Sequence, residues 1–104
     1  MRRVVRLALA SWLLSVTAYA QTGGTITGRV SDETGGVLPG VTVDLHSDGM
    51  ETTAVTDGIG EYRIDNVPVG PAVLTFKLIN FTVVRRDLVV VAGRTVAADA
   101  VLGL

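Results

Sequence analysis

From Thr25 to Leu102 the chain is written in short alternating runs, each closed by residues that turn a backbone, and none carries an apolar stripe of helical period and length. A period of two puts neighbouring side chains on opposite faces of a strand. Thr25–Val30 sets Ile26, Gly28 and Val30 against Thr25, Thr27 and Arg29, and Val41–His46 sets Val41, Val43 and Leu45 against Thr42, Asp44 and His46. Thr52–Thr56 is expected to bury Val55, with Thr53 on the same side. Tyr62–Val67 turns Tyr62 and Ile64 inward, and Ala72–Lys77 alternates Ala72, Leu74 and Phe76 with Val73, Thr75 and Lys77. Leu88–Val91 is a continuous apolar run, as in a strand covered on both sides or lying near an edge contact. Arg94–Leu102 points Val96, Ala98, Ala100 and Leu102 one way and Asp99 the other.

Between these runs stand Asp32–Gly36, Pro39-Gly40, Ser47-Asp48-Gly49, Asp57–Gly60, Pro68–Pro71 and Ala92-Gly93, which are turn and breaker chemistry. The Asp57–Gly60 segment is expected to close a hairpin into Tyr62. Valine, threonine and isoleucine make up 30 of the residues after position 20, and all 12 glycines lie there too. β-Branched side chains are stiff at χ1 and suit a pleated surface better than a helix. The reading is all-β: a seven-stranded Greek-key antiparallel β-sandwich, because each sheet must hide one face. A closed barrel is the alternative.

The first twenty residues follow another logic. Arg2, Arg3 and Arg6 form a basic start, Leu7–Val16 is an apolar core interrupted by two serines, and Ala18-Tyr19-Ala20 has the small-x-small form of a signal-peptidase site. The apolar stretch is shorter than the ~20 residues a membrane span requires. Residues 1–20 therefore read as a signal-peptide helix, cleaved by recognition of Ala18 and Ala20, and residues 21–104 as one β-sandwich domain. That domain has six basic and ten acidic side chains and no cysteine, so no disulfide can brace it. A balance of that sign excludes a nucleic-acid partner, which would need a basic patch.

The turns also fall in a recognisable order: Gly28-Arg29-Val30, then Asp32, Gly35 and Leu38-Pro39-Gly40-Val41-Thr42-Val43, then Thr56-Asp57, Gly60, Tyr62 and Ile64, then Asn66-Val67-Pro68 and Gly70. Phe81, Val89, Val91, Gly93 and Leu102 follow. This pattern, over about residues 24–102, resembles the carboxypeptidase regulatory-like domain, a seven-stranded sandwich of the transthyretin-like group. Ala72 stands where the family often has an aromatic residue, and Pro71 where it usually has a small polar one, so a locally thinner core is expected. Independently of the resemblance, Gly60 and Gly70 sit where tight connections call for positive φ or close backbone approach. Asp57 can hold its turn by accepting backbone N–H groups, and Tyr62 is expected to anchor the core while its hydroxyl finds a partner.

The resemblance implies a non-catalytic role. The module is similar to the regulatory domain appended to metallocarboxypeptidases and to one that precedes the plug of TonB-dependent outer-membrane receptors. The chain is accordingly expected to be a free-standing module or a truncated receptor N-terminus.

Other chemistries find few residues. A zinc peptidase needs at least two imidazoles and a carboxylate, whereas His46 is the chain's one histidine. It also lies on the outward register of its strand. The histidine-dependent purine-pathway hydrolase of the same fold group is excluded by that count and by the terminal Val101-Leu102-Gly103-Leu104. Sugar stacking is poorly supplied, since Trp12 lies in the signal peptide and Tyr62 and Phe76 are assigned inward. Asp32 with Glu33, and Asp48 with Asp57, lack calcium-loop spacing and read as turn-stabilising groups. An isopeptide cross-link would need a buried lysine, and Lys77 lies on an outward register.

Arg85-Arg86-Asp87 reads as a solvated loop or an edge-strand guard. The competing reading makes Arg85 and Arg86 contacts for an acidic partner. Near it, the Val89-Val90-Val91 edge is of a kind that accepts a partner strand.

These readings converge on an exported, non-catalytic module for protein binding or scaffolding, with no catalytic residues, cofactor or metal. Its partner is expected to be an envelope or secreted protein. Its place is the periplasm or the cell exterior, with outer-membrane association open. The alternative is a carbohydrate- or small-ligand-binding domain of the starch-binding-like fold group.

Overall fold

The computed structural model describes residues 23–104, and the expected signal peptide with Ala18 and Ala20 lies outside the described residues. Among the described residues eight strands follow one another: β1 (Gly24–Asp32), β2 (Thr42–Ser47), β3 (Met50–Val55), β4 (Glu61–Val67), β5 (Gly70–Lys77), β6 (Val84–Val90), β7 (Thr95–Ala97) and β8 (Ala100–Leu102). They form two sheets. In the first, β1 is central, with β4 along one side and β7 and β8 along the other. The second has the order β3-β2-β5-β6.

The inward set is largely the one that the alternation dictates. Ile26, Val30, Tyr62, Ile64, Val67, Ala98, Ala100 and Leu102 of the first sheet meet Val43, Leu45, Ala72, Leu74, Phe76 and Val90 of the second, all buried. The Tyr62 and Phe76 rings cross the gap edge to face, with centroids 5.8 Å apart and planes at 71°. That geometry sets the positive ring edge against a negative face. Thr56 is a buried polar tie at the sandwich rim. Its hydroxyl donates to the Leu38 carbonyl at 2.7 Å and accepts the Val41 N–H at 2.9 Å.

The last strand of the sequence reading is two strands. Its pairing offset to β1 is constant from Thr25↔Thr95 through Asp32↔Leu102, so no residue is inserted. The ladder breaks because the Arg29 N–H donates at 2.8 Å to the Asp99 carboxylate. Both pieces run parallel to β1, which corrects the expectation of wholly antiparallel sheets.

In β3 the expected inward pair, Thr53 and Val55, faces outward, and Val55 is 59% exposed. The two-residue Asp48-Gly49 turn pairs Ser47 with Met50, which puts Ala54 opposite the inward-facing Val43. Turn length thus fixed the register, and a one-residue slip exchanges the faces of a whole strand.

The Asp57–Gly60 turn is likewise not a hairpin. It joins β3 and β4, which belong to different sheets. In β4 an extra residue bulges between the Gly24↔Val67 and Ile26↔Ile64 pairs, and Asn66 nearby takes φ 56°, which asparagine tolerates. The sixth strand begins at Val84, four residues ahead of the Leu88–Val91 reading, so Arg85, Arg86 and Asp87 lie within a strand and not in a loop.

Candidate interaction surface

The turn between β3 and β4 joins the two sheets. The Asp57 Oδ1 accepts the N–H groups of Ile59 at 3.0 Å and Glu61 at 2.9 Å, while its carbonyl accepts the Gly60 N–H at 2.9 Å. Gly60 has φ 79°, and a Cβ there would stand 2.7 Å from the Val30 carbonyl oxygen. No side chain fits. Gly70, also expected to need positive φ, has φ 122°.

Tyr62 lies in the core, and its hydroxyl donates to the Ala98 carbonyl. Burial, and secondarily the charge of Asp99, push its ionisation well above the ordinary tyrosine range; Arg86 opposes the shift. Gly28 makes this possible. A Cβ at position 28 would meet the Ala98 oxygen at 2.1 Å and the Tyr62 Cε1 at 2.8 Å. The tyrosine ring covers the space that a β1 side chain would otherwise fill.

On the outer face of the first sheet, charges are paired within the chain. Arg29 meets Glu61 at 2.8 Å and Arg63 meets Asp65 at 2.9 Å. An open depression there is lined by Thr27, Arg29, Val55, Glu61, Arg63 and Asp99. Such exposed pairs add little stability, but they leave the face nearly neutral.

The second sheet's outer face carries Asp44, bonded to Lys77 at 2.9 Å and to the Thr53 hydroxyl at 2.8 Å. The bonds from Lys77 and then from Thr53 hold the Asp44 carboxyl below the usual range. His46 is exposed and rests on Glu51 at 3.2 Å. Among the described residues, no three potential metal-ligating side chains come together.

A candidate docking surface lies along β6, one of the two end strands of the second sheet. Among the described residues this strand pairs only with β5, which leaves its other side a free sheet edge. Its outward residues are Arg85, Asp87 and Val89, set opposite Thr75, Val73 and Pro71 of β5. Val89 is 63% exposed, and Val83, one position before the strand, 55%. Val73, Pro71 and Val89 with Arg85 and Asp87 line a shallow, mainly apolar groove.

The two arginines of the sequence reading go different ways. Arg85 points outward and meets Asp87 at 3.3 Å. Arg86 shares the face of the buried Leu74 and reaches across to donate to the Asp99 carbonyl on the first sheet. It therefore latches the open side of the sandwich. Sequence reasoning missed Asp99 as the residue that interrupts the last strand and receives this latch. The available signal was a lone carboxylate inside the Ala97–Val101 run.

The family model of the carboxypeptidase regulatory-like domain matches residues 25–103. No curated protein matches the sequence. Among solved structures, the Bacillus anthracis TIE protein is similar at TM-score 0.71 and 15% identity, over 80% of this chain and 17% of that one. A chlorocatechol 1,2-dioxygenase from Pseudomonas putida gives TM-score 0.66 at 14% identity, over 84% and 63% respectively. A minor pilin from Streptococcus agalactiae gives 0.65 at 16%, over 79% and 44%. The chain spans less than two-thirds of each, and at these identities the likeness is one of fold.

Proposed function

The chain belongs to the carboxypeptidase regulatory-like domain family, and from that premise we propose that it is an exported, non-catalytic β-sandwich module that binds or scaffolds a protein of the cell envelope or a secreted protein. The observation that carries the reading is the β5–β6 side of the second sheet. There an unpaired strand edge adjoins exposed Val83 and Val89 and the outward Arg85. Exposed apolar residues beside open backbone donors and acceptors favour association with another chain. The chemistry around His46 supports the non-catalytic part, since this one imidazole is solvent-exposed and held by Glu51. The basic start and the Ala18-Tyr19-Ala20 site support export.

The test is capture from the native envelope with tagged protein, comparing the wild type with Val89→Lys. Mass spectrometry should identify one envelope or secreted protein retained by the wild type and lost with the variant. Equal retention by both, or empty beads from folded protein, would contradict the reading. So would hydrolysis of a peptide or ester by the pure protein that His46→Ala abolishes.

A further inference from the structure

We propose that the β6 edge pairs with the β6 edge of a second copy, in antiparallel register centred on Arg86. This goes beyond the envelope-partner reading and does not depend on it; a second copy and an envelope partner would compete for the same edge. The argument is the order of side chains along one strand. Arg85, Asp87 and Val89 share the outward face, Val84, Arg86 and Leu88 share the inward one, and exposed Val83 stands one residue before the strand. A twofold axis normal to the sheet keeps each face on its own side, so outward residues meet outward residues. With Arg86 on the axis, Arg85 lies opposite Asp87 of the second copy, and Asp87 opposite its Arg85. Val83 and Val89 then pair with each other at both ends of the ladder, and on the inner face Val84 pairs with Leu88.

Reversed end for end, the strand is complementary to itself in charge and in apolar residues. Both valines are more than half exposed in the single copy. In that copy Arg85 and Asp87 reach each other only at 3.3 Å along one strand, whereas directly opposed residues of a ladder are natural partners. The one like-charge encounter, Arg86 with its twin, is relieved because each guanidinium is drawn onto its own Asp99 carbonyl. The product is a continuous eight-stranded sheet. Its outer face joins the Pro71–Val73–Val89 grooves of both copies.

Sedimentation equilibrium of the purified protein should show a concentration-dependent monomer–dimer equilibrium. Arg85→Asp and Asp87→Arg should each weaken the dimer more than about tenfold, since each places like charges opposite one another twice. Mixed in equal amounts, these two variants should form a heterodimer, because every introduced charge then faces its opposite. The double variant with both changes should dimerise like the wild type. Circular dichroism establishes that each variant is folded.

A wild type that stays monomeric up to millimolar concentration overturns the proposal. Single variants that dimerise unchanged, or a mixture and a double variant that both fail to recover the dimer, overturn it equally. Because the measurement uses the protein alone, its failure leaves the envelope capture untouched, and empty beads leave the dimer untouched.

Discussion

Replacing Gly28 by alanine adds one methyl group at the most crowded glycine of the sandwich. The new Cβ would lie 2.1 Å from the Ala98 oxygen, 2.7 Å from its carbonyl carbon and 2.8 Å from the Tyr62 ring. Two of those three neighbours are backbone, so no rotamer change relieves them. To restore the 3.0 Å that real Cβ contacts keep, the oxygen must retreat about 0.9 Å. That movement pulls on the Tyr62 hydroxyl bond and on the Ala98 N–H, which donates to the Thr27 carbonyl at 2.8 Å. Overpacking of this kind costs about 1–3 kcal/mol, and a weakened buried hydrogen bond adds about 1 kcal/mol. The smaller entropy of the unfolded alanine chain returns ~0.4–1 kcal/mol.

A net loss of roughly 1–3.5 kcal/mol follows, against a total of about 4–12 kcal/mol for a domain of this size. Urea denaturation followed by far-ultraviolet circular dichroism measures it. In a thermal melt the same loss should appear as a drop of about 4–28 °C. Combined with Tyr62→Phe, the effects should be non-additive, because one variant weakens and the other removes the same hydroxyl bond. A Gly28→Ala protein within about 0.5 kcal/mol of the wild type, the usual range for an uninvolved surface position, would refute the reasoning.

Three further outcomes follow from the same contacts. Tyr62 keeps its proton more tightly in the folded protein than in the unfolded chain. Its contribution is therefore complete below about pH 10 and is lost as pH rises, by up to about 1.4 kcal/mol per unit. Denaturation midpoints measured from pH 9 upward should show this slope in the wild type and lose it in Tyr62→Phe. Asp57→Ala leaves the Ile59 and Glu61 N–H groups without their acceptor and should cost about 1–2 kcal/mol in chemical denaturation; Asp57→Asn should recover part of it. The buried Ser47 hydroxyl has no partner among the described residues, so Ser47→Ala should leave stability unchanged or raise it by up to about 1 kcal/mol. A loss larger than that in a melting curve would mean that the hydroxyl is bonded.

The sequence told most about the strands that carry large apolar residues every second position. Val41, Val43 and Leu45, then Leu74 and Phe76, leave one face to choose, and the structure buries that face. Tyr62 was legible too, as the one large amphipathic ring of the domain. Thr52–Thr56 was not, because a run of threonines and alanine has a weak pattern and a two-residue turn outvotes it. The parallel return of the last strand and its break at Asp99 rest on one long-range bond, to the Arg29 N–H. No local pattern contains that bond. The same holds for the candidate surface: Arg85 and Arg86 are adjacent in sequence, yet strand pleating sends one out to solvent and the other across the sandwich.

The central claim is that the β5–β6 side is where this module meets another protein. A photo-crosslinking residue substituted for Val89 in the native cell tests it most directly, with the same substitution at Arg63, on the outer face of the first sheet, as the reference. The account predicts strong crosslinks to protein from position 89, to a second copy, an envelope protein or both, and few from position 63. Crosslinks arising only from position 63, or from neither position in a folded and exported protein, would contradict it.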